Sequence, residues 1–147
     1  MLQQRALAPA VVAFKEAGLR IEVETNGTLT PEVPLAELVD QWNVSPKLES
    51  SGNQLADREV PAALQWFGEC ERAYFKFVIV NPQDVDEAVA LADRYGMPRE
   101  RVVLMPEGVD PEALLSRSQW LVERVQELGV RYGTRLHILL WGDKRGR

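Results

Sequence analysis

The sequence predicts an α/β fold built on a mostly parallel sheet, and three observations carry that expectation. Short runs with apolar residues at every second position alternate along the chain with segments whose apolar residues recur at helical spacing. Asn81-Pro82 and Asp110-Pro111 each place a capping residue before a proline suited to the first helical position. The helical segments are long enough to carry the right-handed crossovers that parallel neighbours need. Five strands are expected, too few for a closed (β/α) barrel. Neither a repeated unit nor a linker divides the chain, so a single domain over residues 1–147, shaped as an open or partial barrel, is the expectation.

Taken in order, the first helix is expected from Pro9 to Gly18, with Ala10, Val11, Phe14 and Ala17 on its buried face. Leu19 to Glu24 alternates as a strand. After the Pro31 to Pro34 loop, a second strand leads through Trp42 and Val44 to Ser45. Ser50-Ser51-Gly52-Asn53 reads as a loop, and a helix from about Asp57 to Phe67 follows, with Pro61 in its first turn. Tyr74 to Val80 is a strand rich in aromatic and β-branched residues. Asn81 caps the next helix, whose buried stripe is Val85, Ala88, Val89, Ala92 and Tyr95, and Gly96 and Pro98 end it. Arg101 to Met105 is a strand, followed by a helix that Asp110 caps and Pro111 opens, with Leu114, Leu121, Val125 and Leu128 facing inward until Gly129. A last strand is expected from Arg135 to Trp141.

Composition narrows the partners. With 46% hydrophobic and 27% charged residues over 147 positions, the chain can bury one ordinary core. A net charge of -5 argues against nucleic acid, which needs a basic face to displace counterions. No apolar run approaches the roughly 20 residues that span a bilayer, and no leader opens the chain, so a cytoplasmic protein with a small-molecule ligand is expected. The single cysteine, Cys70, excludes an internal disulfide and supplies no metal-ligand spacing.

Function, on this reading, sits at the carboxyl ends of the strands, where ligands bind in sheets wound with helices. Glu24, Thr25 and Asn26 offer groups for hydroxyls or an amine, and Gly27 lets the backbone turn; Asn26-Gly27 is equally a good turn dipeptide. Ser45 and Lys47 flank Pro46 at the second strand end, where a lysine either holds a carboxylate or is simply solvated. Met105, Pro106, Glu107 and Gly108 follow the fourth strand as the wall of an adenine-sized slot or as the start of a loop. His137, the only histidine, is either structural or an acid-base or substrate-contacting group. These residues alone support a small-ligand binding domain.

In sequence order, Glu24-Thr25-Asn26-Gly27-Thr28, Val44-Ser45-Pro46-Lys47-Leu48 with Ser50-Ser51-Gly52, Phe75-Lys76-Phe77-Val78, Leu104-Met105-Pro106-Glu107-Gly108 and Arg135 through Gly142 resemble the 7-carboxy-7-deazaguanine synthases. These are radical S-adenosylmethionine lyases of queuosine precursor synthesis. The resemblance covers nearly the whole chain and implies an incomplete radical-SAM-type (β/α) barrel. It implies a [4Fe-4S] cluster that cleaves S-adenosylmethionine, a magnesium-assisted conversion of 6-carboxy-5,6,7,8-tetrahydropterin, and the following roles. Glu24, Thr25, Ser45 and Lys47 would contact S-adenosylmethionine, with the Met105-Pro106 backbone beside its adenine; Asn26, Gly27 and His137 would face the pterin, and the tail after Trp141 would fold back toward it. The family's three-cysteine loop and Gly-Gly-Glu-Pro strand end are missing from this sequence; Met1-Leu2-Gln3 would fall just after them. The resemblance therefore implies the C-terminal part of a synthase, truncated and inactive as this chain, from a late-assigned start or a disrupted gene. The alternative is a non-catalytic nucleoside-binding or assembly module. Without the preceding strands, the edge of Leu19 to Glu24 is expected to be open to self-association, as in a symmetric dimer.

Overall fold

Five parallel strands make one sheet in the order β1-β2-β3-β4-β5: Glu22–Thr25, Gln41–Val44, Ala73–Ile79, Val102–Pro106 and Arg131–Tyr132. They belong to a computed structural model that describes residues 4–144; the expectations for Met1, Leu2 and Gln3 and for the end of the tail, 145–147, lie outside it. Because spatial order follows chain order, right-handed crossovers all turn the same way and place the helices on one face. A doubly wound sheet would reverse its order at a switch point. Burial agrees: Trp42, Val44, Phe75, Phe77, Ile79 and Leu104 are fully covered, while Asn43, Lys76, Val78 and Met105, one residue out of phase, are only partly covered. The sheet does not close, and this is an incomplete (β/α) barrel with a helix-covered outer face and an open, more polar inner face.

The helices are α1 (Gln4–Glu16), α2 (Leu35–Leu38), α3 (Leu55–Arg58), α4 (Pro61–Glu69), α5 (Pro82–Arg94), α6 (Pro111–Leu128) and α7 (Leu136–Trp141). Both expected caps form. Asn81 accepts from the Asp84 N–H while the Asp84 side chain returns to Asn81, a reciprocal capping box, and Asp110 accepts from the Glu112 and Ala113 N–H groups. Under the sheet, Trp42, Trp66 and Phe67 meet edge to face with ring centroids 5.0 to 5.9 Å apart.

Four expectations are corrected. Helix α1 starts at Gln4 and holds Pro9 inside it; Ala8 and Val11 reach the core, whereas Ala10, Phe14 and Ala17 of the anticipated buried face are exposed. The helix expected from Asp57 to Phe67 is two, because Pro61 forces Val60 into extended backbone, φ -105° and ψ 99°. Helix α2 had no counterpart in the sequence reading; it buries Leu35 and leads into the buried Val39. The last strand is Arg131–Tyr132, and the Arg135 to Trp141 segment is helical from Leu136 onward. Leu136, Ile138 and Leu140 alternate as a strand would, but so short an apolar run fits either period. Packing decides it, since Gly133 lies so close to β4 that a Cβ there would stand 2.8 Å from Val103 Cγ1.

At the start of the sheet, Asp40 joins three elements: Lys15 Nζ donates to its carboxylate at 2.7 and 2.8 Å and the Ile21 N–H at 2.7 Å. These bonds, Lys15's foremost, hold the Asp40 carboxyl below its ordinary range. A depressed folded value stabilises the fold above the unfolded value near ~3.9 and loses that contribution as pH falls through the folded one. Asp40→Asn is therefore expected to be less stable at pH 7. Urea midpoints from pH 7 downward should show the gap from the parent closing below about pH 4.

Candidate functional site

Parallel strands deliver all their carboxyl ends to one rim, and that rim encloses a cavity of about 630 Å³. Glu24, Thr25 and Asn26 enter from β1, Ser45 and Lys47 from the end of β2, Lys76 and Val78 from β3, Met105 from β4, and Thr134, Arg135 and His137 from the turn into α7. A narrower cavity of about 240 Å³ adjoins it, sharing Ser45, Lys47, Val78 and Arg135 and adding Glu107, Ser50 and Ser51.

Charge gives the cavity its character. Lys76 Nζ donates to Glu24 Oε2 at 3.2 Å, so these two offset one another. Lys47 and Arg135 remain; Arg135 Nη1 reaches only the Gly108 carbonyl, at 3.4 Å. The pocket is thus cationic within a chain of formal charge -5, which favours a ligand with a carboxylate or phosphate. Ser45 Oγ is buried and has no hydrogen-bond partner among the described residues, so a ligand donor or acceptor would complete it. The position of Lys47 is fixed from behind: Arg58, 8% exposed, bonds Glu87 and donates to the Lys47 carbonyl at 3.3 Å.

Thr25 and Asn26 serve the turn as well as the cavity. Thr25 Oγ1 accepts from the Gly27 N–H at 3.2 Å, and Asn26 Oδ1 accepts from the Thr28 N–H and hydroxyl at 3.2 and 2.8 Å. The Asn26 amide nitrogen is left for a ligand. Gly27 lies behind the cavity with φ +78°, and a Cβ there would come within 2.8 Å of Val44 Cγ1. Its missing side chain serves turn and core together. Pro106 is buried on the helical side, leaving Met105 as the fourth strand's contribution to the lining. Glu107 does not share the larger hollow with Thr25, Lys47 and His137; Arg117 Nη1 holds its carboxylate at 3.0 Å and its carbonyl at 2.6 Å.

No family model matches the chain. It is 36% identical over 146 residues to the 7-carboxy-7-deazaguanine synthase of Pyrobaculum aerophilum, covering 99% of this chain and 62% of that protein. The synthases of Hyperthermus butylicus and Bacillus subtilis are 30% and 32% identical over 147 residues, with 95% and 90% of this chain and 61% and 60% of theirs covered. The chain is homologous to the 7-carboxy-7-deazaguanine synthases. It spans about three fifths of the length of the curated relatives it matches.

Against the synthases' name stands the donor set of these 147 residues. A [4Fe-4S] cluster is held by several cysteine thiolates, and Cys70 is the one cysteine. It follows α4 at the amino end of β3, the opposite end of the sheet from the cavity, where its carbonyl accepts from Arg101. Among the described residues no group of three or more His, Cys, Asp or Glu is arranged to hold a metal ion. These residues do not fit the cluster or a magnesium cage. No helix among them is long and apolar enough to cross a membrane.

Sequence reading named most of the synthase-like rim but passed over Lys76, Thr134 and Arg135 as site residues. Lys76 carried a usable signal, being the one charge inside an otherwise apolar and aromatic strand. Thr134 and Arg135 carried none, because their place depends on the turn between β5 and α7.

Proposed function

We propose that the rim binds S-adenosylmethionine and a carboxylated pterin as part of a 7-carboxy-7-deazaguanine synthase, and that residues 1–147 supply the binding surface without the cluster chemistry. One observation carries the reading: Glu24, Thr25, Asn26, Ser45, Lys47, Met105 and His137, drawn from separate parts of the sequence, line one cationic cavity. Lys47 is suited to the methionine carboxylate, the unpartnered Ser45 hydroxyl and Glu24 to the ribose and amine, Met105 to the adenine face, and His137 with Asn26 to the pterin. When present, the cluster would supply the electron that cleaves S-adenosylmethionine; these residues bind and orient. The single cysteine equally favours a second reading, a non-catalytic nucleoside-binding module with the same pocket.

Calorimetric titration of the chain with S-adenosylmethionine tests the shared pocket. Binding is expected, and Lys47→Ala, which removes a charge-assisted contact, should weaken it about 10- to 100-fold. A parent chain that takes up no S-adenosylmethionine, or a Lys47→Ala chain that binds as well as the parent, refutes the assignment.

A further inference from the structure

We propose that two copies of this chain pair through the open edge of β1, antiparallel about a twofold axis at Glu22, while the exposed side of α1 packs against its twin. The inference is independent of the ligand reading. Its first support is the direction of the backbone. Gln41 N–H donates to the Ile21 carbonyl at 3.2 Å and Ser45 N–H to the Thr25 carbonyl at 2.7 Å. Ile21, Val23 and Thr25 therefore turn their backbone groups to β2, and by ladder alternation those of Glu22 and Glu24 face the open side. An edge of this kind is a template for another strand.

The second support is missing cover. Val23 pairs in register with Trp42 and shares its face, yet Val23 and Ile21 are only half-buried where Trp42 and Val44 are 0% exposed. Helix α1, which leads through Gly18 directly into this strand, shields them with Ala8 and Val11 alone. Its Leu7 and Phe14 are 45% and 50% exposed, with exposed Ala10 between them at helical spacing, and Leu19 beyond the helix is 53% exposed. A terminal helix meant for water would carry polar residues there.

What selects a second copy as the occupant is the edge sequence itself. Arg20-Ile21-Glu22-Val23-Glu24, laid antiparallel on itself, sets Arg20 opposite Glu24 and Ile21 opposite Val23, each pair made twice by the symmetry. Like charges meet only on the axis, where each Glu22 already accepts from its own Arg20 Nε at 3.1 Å.

Light scattering and sedimentation of the 147-residue chain at tens of micromolar should give twice its 16.6 kDa. In a Cys70→Ser background, Glu22→Cys should oxidise to a covalent dimer, since facing residues of such a pair stand ~5.5 Å apart at Cα, within disulfide reach. Glu22→Pro removes an N–H that β2 does not use, and Phe14→Glu charges the exposed side of α1. Each should weaken the dimer at least tenfold with far-ultraviolet dichroism unchanged. A monomer at that concentration, a dimer that both substitutions leave intact, or no cross-link at position 22 overturns the proposal.

Discussion

Gly68→Ala should cost about 3 kcal/mol or more of folding stability, against the direction that helix propensity alone gives. Gly68 lies in the last turn of α4, where exchanging glycine for alanine in an open helix would gain about 1 kcal/mol. Here the helix crosses the end of α5 at backbone contact. A Cβ on Gly68 would stand 1.8 Å from the Tyr95 carbonyl oxygen and 3.0 Å from its carbon. The obstacle is main chain rather than the end of a flexible side chain, so the two helices must part. Parting them opens the layer that covers Phe67 and Leu64 beneath β2 and β3. Urea unfolding of the variant should show a midpoint far below the parent's. Equal or greater stability would mean that α4 and α5 do not cross here.

Arg58→Met should cost about 2 to 3 kcal/mol and weaken ligand binding as well. Arg58 is 8% exposed and joins α3 to α5 through Glu87, whose other oxygen accepts the Glu49 N–H at 2.9 Å. Breaking a buried pair leaves a carboxylate without its partner, at a cost of about 3 to 5 kcal/mol when it is dry. Glu87 keeps 26% of its side-chain exposure, so water recovers part of that. Replacing both partners, Arg58→Met with Glu87→Leu, removes the stranded charge and should restore much of the loss. Binding should not return with it, because the Lys47 carbonyl still lacks the Arg58 donor that fixes it at the rim. A single variant as stable as the parent, or a double variant that binds S-adenosylmethionine like the parent, would remove Arg58 from this role.

The rim was legible before the fold because a strand end announces itself locally. Glu24-Thr25-Asn26 and Ser45-Pro46-Lys47 are polar groups placed where an apolar alternation stops, and parallel pairing then brings every such end to one side. The final segment was misread for a related reason. Leu136, Ile138 and Leu140 satisfy two periods at once, and only the close seat of Gly133 on Val103 excludes a continued strand. His137 reached the cavity through a helix instead. Its role in the argument survived a wrong secondary structure because the segment still begins at the rim.

By itself, the sequence determined the alternation of strands and helices, the caps at Asn81 and Asp110, the homology to the synthases and the residues offered at the strand ends. Each of these is written within a few neighbouring positions, or in their order along the chain, and needs no distant partner. Tertiary structure alone decided that Phe14 faces outward, that Gly27 and Gly68 are held by Val44 and Tyr95, that Arg117 takes Glu107, and that Lys76 pairs with Glu24 inside the cavity. The last three join groups from different elements, and the first follows from how little of the sheet α1 has to cover. No local pattern records such partners, because burial and pairing are set only once the elements have packed.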